Sequence, residues 1–298
     1  MARVSKRNQN LMQFIKRAHG LVENTDLEKQ RQSQNYIGTL LGNTKEIEYQ
    51  EIDIEGMPGE WVSVNRAHMK KHIILYCHGG GYSTGSSLYA RSLTSKLAAS
   101  TSMDVLSFDY RLAPENPYPA ALEDAMRAWN YLMLLGYGAR DVIIAGDSAG
   151  GNLALALVLK LKEEERILPR GLVLMSPWTD LTASGKTYRT KAAVEPILDK
   201  EYIARISEAY AGDMDMKDPL ISPLFGDLRG FPPTYIQVGE NEILLSDSLR
   251  LHQALVAANV SVKMERFTGM WHVFQMSPFK RAYEAMDKMA EFIFDICR

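Results

Sequence analysis

Two cysteines in 298 residues are too few to staple a fold. Cys77 closes an apolar run and Cys297 lies next to the C-terminus, which fits two free thiols in a reducing compartment better than a disulfide framework. Histidine is scarce too, at six. No cluster of His and Cys has the spacing of a metal site, so neither a metal nor an organic cofactor is expected. Charge of one sign is not in excess: 34 Lys and Arg face 36 Asp and Glu, a net charge of −2. This balance lacks the basic footprint of a nucleic-acid binder and the polybasic block that an anionic membrane attracts. Long hydrophobic runs are missing as well. Stretches such as Leu153 to Leu161 fall short of the ~20 residues needed to cross a bilayer. Met1 to Arg7 carries three basic residues but leads into Asn8-Gln9-Asn10, not into the apolar core of a secretory leader. A cytoplasmic chain without stable membrane insertion is expected, and monomer or homodimer stays open.

What is present is ordinary globular composition, 46% hydrophobic and 23% charged, in a chain long enough to bury a large core. The first 44 residues are polar with helical spacing at Leu11, Phe14, Ile15, Ala18 and Leu21. Ile47 to Ile54 and Trp61 to Val64 alternate around Gly56-Met57-Pro58-Gly59 and read as a β-hairpin. From there the pattern becomes short, wholly apolar runs: Ile73 to Cys77, Val105 to Phe108, Val142 to Ala145, Leu172 to Met175, Tyr235 to Val238 and Val262 to Phe267. Helical stretches separate them, at Ser86 to Ala99, Ala120 to Leu134, Ser148 to Lys162 and Ser246 to Ala258. Strands apolar on both faces, alternating with helices, predict an α/β fold with a mostly parallel sheet of about eight strands, mixed at one edge. Between Trp178 and Pro232 no strand appears, only a long polar and helical stretch with a helix over Leu198 to Ala211. An insertion of that length in a compact domain carries structure or function of its own. Residues 1–44 and about 179–231 are therefore expected to cap a catalytic domain over 45–298.

The sharpest chemical signal is Gly146-Asp147-Ser148-Ala149-Gly150, placed directly after a strand and directly before a helix. In that context a G-x-S-x-G pentapeptide forms a tight elbow that exposes the serine, with glycines where a Cβ would clash. The helix N-terminus favours negative charge developing beside it. Read blandly, the same residues are a glycine-rich turn. His78-Gly79-Gly80-Gly81-Tyr82, just after the strand Ile73 to Cys77, argues against that reading. Consecutive glycines let backbone N–H groups approach the oxyanion of an acyl-transfer intermediate, and no Gly-Lys-Ser follows that would make this a phosphate loop. A serine of this kind needs an acid and then a histidine later in the chain. His19, His68, His72 and His78 precede the serine, and His252 sits mid-helix. His272, in the loop after Phe267, stands where the general base belongs.

With these blocks in order, the sequence resembles the hormone-sensitive-lipase-like family of α/β-hydrolase carboxylesterases. Asp109-Tyr110-Arg111-Leu112-Ala113-Pro114-Glu115, Pro119 to Asp124, Gly150-Gly151-Asn152-Leu153, Ser222-Pro223-Leu224 and Gly239-Glu240-Asn241-Glu242 extend the resemblance over most of the chain from Ile73. It implies Ser148 as nucleophile and Gly79, Gly80 and Gly81 with Ala149 as the oxyanion-hole segment, the amides coming from Gly80, Gly81 and Ala149. It further implies Tyr82 on the pocket wall and a structural role for His78. Relatives carry Asp where this chain has Glu242, with a second Asp matching Asp247. Glu242 is the first choice of triad acid, Asp247 the second and Glu240 the third. Asp147 points the wrong way for the task, and Asp109, Arg111 and Glu115 look like one ion-pair knot. Met214, Met216, Phe225, Trp271, Phe274 and Met276 are candidates for an apolar acyl pocket. The expected activity is hydrolysis of a small-molecule ester with a short acyl chain. An amidase or deacetylase acting on an N-acyl group would use the same residues. A non-catalytic receptor on the same fold would lack the base that His272 supplies.

Overall fold

The structure, a computed structural model, describes residues 26–42, 44–68 and 70–298, together with Met12, Gln13 and Lys16. The helical spacing of Leu11, Phe14, Ile15, Ala18 and Leu21 lies outside the described residues. Helix α1 (Leu27–Gly42) is followed by a hairpin of β1 (Ile47–Ile54) and β2 (Met57–Val64). The hairpin turn is tighter than the glycines suggest. Glu55 and Gly56 alone make it, both at positive φ (53° and 86°), the two-residue geometry that matches strand twist. Ile54 therefore pairs with Met57, and Pro58 lies inside the strand.

The apolar runs form β3 (Ile73–Cys77), β4 (Asp104–Phe108), β5 (Val142–Asp147), β6 (Gly171–Met175), β7 (Thr234–Gly239) and β8 (Val262–Phe267). Every residue of β3 to β7 is buried, as strands covered on both faces require. The eight strands form one sheet in the order β1-β2-β4-β3-β5-β6-β7-β8. β1–β2 and β2–β4 run antiparallel, and all other pairs are parallel. The crossovers carry α2 (Ser87–Thr101), α3 (Ala120–Leu134), α4 (Ala149–Glu163) and α7 (Leu245–Ala257), and α8 (Lys280–Cys297) ends the chain. Ser86 caps α2 through its hydroxyl, accepting from the Tyr89 N–H at 3.3 Å. Helix α8 has no counterpart among the expected elements, although it buries Ala282, Ala285, Met286, Met289, Ala290 and Ile293 at helical spacing.

The 179–231 stretch holds no strand but a short α5 (Thr187–Thr190) and α6 (Lys200–Ala211), the latter capped by Asp199, whose carboxylate accepts from the Tyr202 N–H at 2.7 Å. Helix α1 packs on α2 at Gly38 and Gly42, where a side chain would collide with the backbone of Leu88 and Tyr89 and with Arg91. Arg31 of α1 adds a bidentate pair with Glu115 at 2.8 and 2.9 Å. Asp109, Arg111 and Glu115 thus do not form one knot. Asp109 accepts from the Ser87 N–H, and Arg111 pairs with Glu123 and Asp124. No helix of the described residues is long and apolar enough to cross a membrane.

Candidate active site

The site lies at the C-terminal ends of the central strands, where an open parallel sheet leaves a crevice. Ser148 follows β5 directly and starts α4 with φ 53° and ψ −119°. A non-glycine residue at positive φ is strained, by ~1–3 kcal/mol, and persists only where its surroundings dictate it. Here they do. A Cβ on Gly146 would collide with the Gly150 carbonyl, and one on Gly150 with the carbonyls of Cys77 and His78. The elbow and the glycine loop after β3 are packed backbone to backbone. The Ser148 N–H donates to the Met175 carbonyl at 2.9 Å, and its carbonyl accepts from Trp178 at 3.1 Å.

Three of the expected residues come together with Ser148 at their head. His272 Nε2 lies 2.9 Å from Ser148 Oγ, and its Nδ1 lies 3.1 Å from Glu242 Oε2. An ionised carboxylate only accepts, so Nδ1 carries the proton and Nε2 is free to accept from the serine hydroxyl. Glu242 is fully buried, with Oε1 accepting from the Ser176 hydroxyl at 2.7 Å and from the Gly239 N–H. Burial works against charge on His272, but the hydrogen bond and charge of Glu242, aided by Glu195 and Asp147, outweigh it and hold the imidazole above its ordinary basicity. Glu240 takes no part in this arrangement.

The glycine loop divides. The Gly79 N–H donates to Asp147 Oδ1 at 2.9 Å, so Gly79 is removed from the expected oxyanion set and serves as the loop's anchor. The N–H groups of Gly80, Gly81 and Ala149 have no partner among the described residues. Gly80 and Gly81 border the cavity beside Ser148. Both have positive φ, 111° and 63°. His78 is buried, stacked on Tyr110 at 4.0 Å, with Nδ1 2.8 Å from the Gly79 carbonyl. Burial drives its pKa down to about 4, so it stays neutral and structural.

Tyr82 is the second correction. It is fully buried, stacked on Tyr210 at 3.6 Å, and its hydroxyl donates to Asn152 Oδ1 at 2.7 Å. Its φ of 61° turns it inward, away from the cavity wall. The cavity over Ser148 measures about 520 Å³. Ile37 and Leu41 of α1, Tyr202, Ile203 and Ile206 of α6, and Trp271, Met276 and Phe279 make it apolar. Of the apolar residues named from sequence, Trp271 and Met276 border it, whereas Met214 and Phe225 are exposed elsewhere and Phe274 is core.

Three contributors have roles that were not foreseen, Asp147 inside the pentapeptide and Ser176 and Glu195 outside any motif. Asp147 is fully buried and accepts from Tyr76 and Tyr89 at 2.7 and 3.0 Å besides Gly79, fixing the loop against the elbow. Ser176, at φ 47°, donates to Glu242 and accepts from the Val273 N–H at 3.2 Å, so one hydroxyl ties the acid to the histidine loop. Glu195 is buried and accepts from the amide of Ile243, the residue after Glu242. The only sequence-level hint for each is a polar residue at the end of an apolar run or inside the insertion.

Fold and site together define an α/β hydrolase, and the profile of the α/β-hydrolase fold family matches residues 74–276. The chain belongs to that family, in its hormone-sensitive-lipase-like group of carboxylic ester hydrolases. It is 40% identical over 249 residues to an esterase of Acinetobacter venetianus, covering 83% of this chain and 82% of that protein. It is 41% identical over 214 residues to an acetyl-hydrolase of Streptomyces hygroscopicus, covering 72% and 71% of the two chains. A solved esterase of the bacterial hormone-sensitive lipase family superposes with a TM-score of 0.92 at 32% identity, over 97% of this chain and 98% of that one.

Asp247 sits apart from His272, in the first turn of α7, fully buried. One oxygen accepts from the Thr179 and Asp180 amides at 3.0 and 3.1 Å, while the other has no partner among the described residues. Burial, with the Asp180 charge beside it, pushes its carboxyl up to about 8. A carboxyl raised in the folded state contributes stability below its unfolded value, and that contribution is lost as pH rises through the folded value. Asp247→Asn removes this loss. Thermal unfolding should find the variant close to wild type near pH 4 and more stable by roughly 1 kcal/mol or more at pH 8. A difference that does not change with pH would contradict the assignment.

Proposed function

We propose that the protein is a serine carboxylesterase that cleaves short-chain acyl esters through an acyl-enzyme on Ser148. The observation that carries this reading is the serine–imidazole–carboxylate relay of 2.9 and 3.1 Å, set beside three backbone N–H groups that have no partner among the described residues. Ser148 Oγ attacks the ester carbonyl as His272 Nε2 takes the hydroxyl proton. Glu242 keeps Nδ1 protonated and balances the imidazolium. The amides of Gly80, Gly81 and Ala149 receive the oxyanion of the tetrahedral intermediate. Collapse breaks the bond to the alcohol oxygen, which leaves with the proton from His272. Water then attacks the acyl carbon with His272 again as base, releasing the acid and restoring the serine. In this reading α1 and the 179–231 insertion act as the cap, since α1 and α6 supply apolar walls to the cavity.

Ser148→Ala should fold normally and lose about a millionfold in turnover, by analogy with serine proteases, because triad members act as a unit. Glu242→Gln should lose on the order of ten-thousandfold, the imidazole having lost control of its tautomer, and Glu240→Gln should stay near wild type. Turnover of p-nitrophenyl butyrate checks all three. Retention of a tenth of wild-type activity by Ser148→Ala would remove the nucleophile assignment.

Acyl length follows from the cavity of about 520 Å³, which has room for a small ester but cannot hold a long-chain triglyceride. A graded p-nitrophenyl ester series should peak at short chains. Equal rates on emulsified long-chain triglyceride and on a butyrate ester would contradict the proposal.

A further inference from the structure

Glu195 lies between α5 and α6 and is 1% exposed. Its two carboxylate oxygens accept from two different parts of the chain, the Ile197 N–H at 2.9 Å and the Ile243 N–H at 3.2 Å. Ile197 borders the cavity, and Ile243 is the residue after Glu242. One side chain therefore joins the cavity wall to the loop of the triad acid. No lysine or arginine pairs with Glu195 among the described residues. The charged groups that face it are His272 and Glu242, and those that face His272 are Glu242, Glu195 and Asp147. A buried carboxylate without a resident cation is costly, and here the nearest opposite charge exists only while His272 holds a second proton.

Resting on the reading of His272 as the general base, we propose that Glu195 is a positioning residue that fixes the Glu242 loop to the cavity wall and supplies a second negative charge to the His272 imidazolium. Burial without a cation pushes the Glu195 carboxyl up to about 7, so it changes charge in the neutral range, and His272, which feels that charge, is held above its ordinary value. Above that range it strengthens the base. Below it Glu195 takes up a proton itself, and His272 becomes less basic. The seating of the cap segment and the basicity of the catalytic histidine are in this way one property.

The test is a pair of titrations on the full chain. In Ser148→Ala protein, NMR of labelled histidine should show His272 titrating at lower pH once Glu195→Gln is added. In active enzyme, the acid limb of kcat/KM for p-nitrophenyl butyrate should move the same way by roughly half a pH unit, about threefold in relative rate on that limb. A purely structural role for Glu195 would lower stability and leave both curves in place, and coincident curves overturn the proposal. Should Glu195→Gln fail to fold, the wild-type histidine titration decides: two coupled steps are expected, and a simple one-site curve overturns it. A His272→Ala variant that kept full activity would instead remove the reading of His272 as base, a result distinct from either.

Discussion

Gly150 lies against the carbonyls of Cys77 and His78 with no room for a Cβ, and the rest of the site depends on that contact. It presses the first turn of α4 onto the end of β3, which places Ser148 beside the glycine loop instead of one side chain's width away. Any larger residue would separate the proposed nucleophile from the proposed oxyanion amides, and such a donor is useful only within hydrogen-bond reach of where the charge develops. Asp147 then locks the arrangement from beneath. Its carboxylate takes the Gly79 N–H and two tyrosine hydroxyls, and the pull of these donors partly offsets the burial that raises its own pKa.

Three non-glycine residues with strained backbone meet where the chemistry is proposed. Ser148, Ser176 and Val273 all have positive φ, at 53°, 47° and 47°, and none is glycine. The Ser176 hydroxyl bonds Glu242 and the Val273 amide, so two strained loops and the acid are held by one oxygen. Such conformations persist because the surrounding packing over-determines them. The buried carboxylates Asp147, Glu195 and Asp247 share one pattern: each is raised by desolvation, and each accepts from backbone amides, of Gly79, of Ile197 and Ile243, and of Thr179 and Asp180 respectively.

Much of this was legible in the chain. Strands covered on both faces are apolar throughout, so β3 to β7 stand out, and the elbow and glycine loop announce themselves by residue types that their backbone requires. What failed to show has a common cause. Gly79 and Tyr82 sit in a motif whose members face different ways, and only the bonds to Asp147 and Asn152 reveal which. Met214 and Phe225 share composition with Met276 but not its direction. Asp147, Ser176 and Glu195 act through hydrogen bonds to residues far along the chain, and no local spacing encodes those. The hairpin turn moved because two positive φ values at Glu55 and Gly56 suffice, leaving Pro58 to the strand.

Ser148 is the proposed nucleophile, made reactive by its setting. Stoichiometric treatment with an organophosphate ester, followed by intact-protein and peptide mass spectrometry, tests it most directly. One phosphoryl group per chain is expected, on the peptide containing Ser148, with the reaction greatly slowed when His272 is replaced by alanine. Labelling at another residue, or labelling of Ser148 at the same rate without His272, would contradict it.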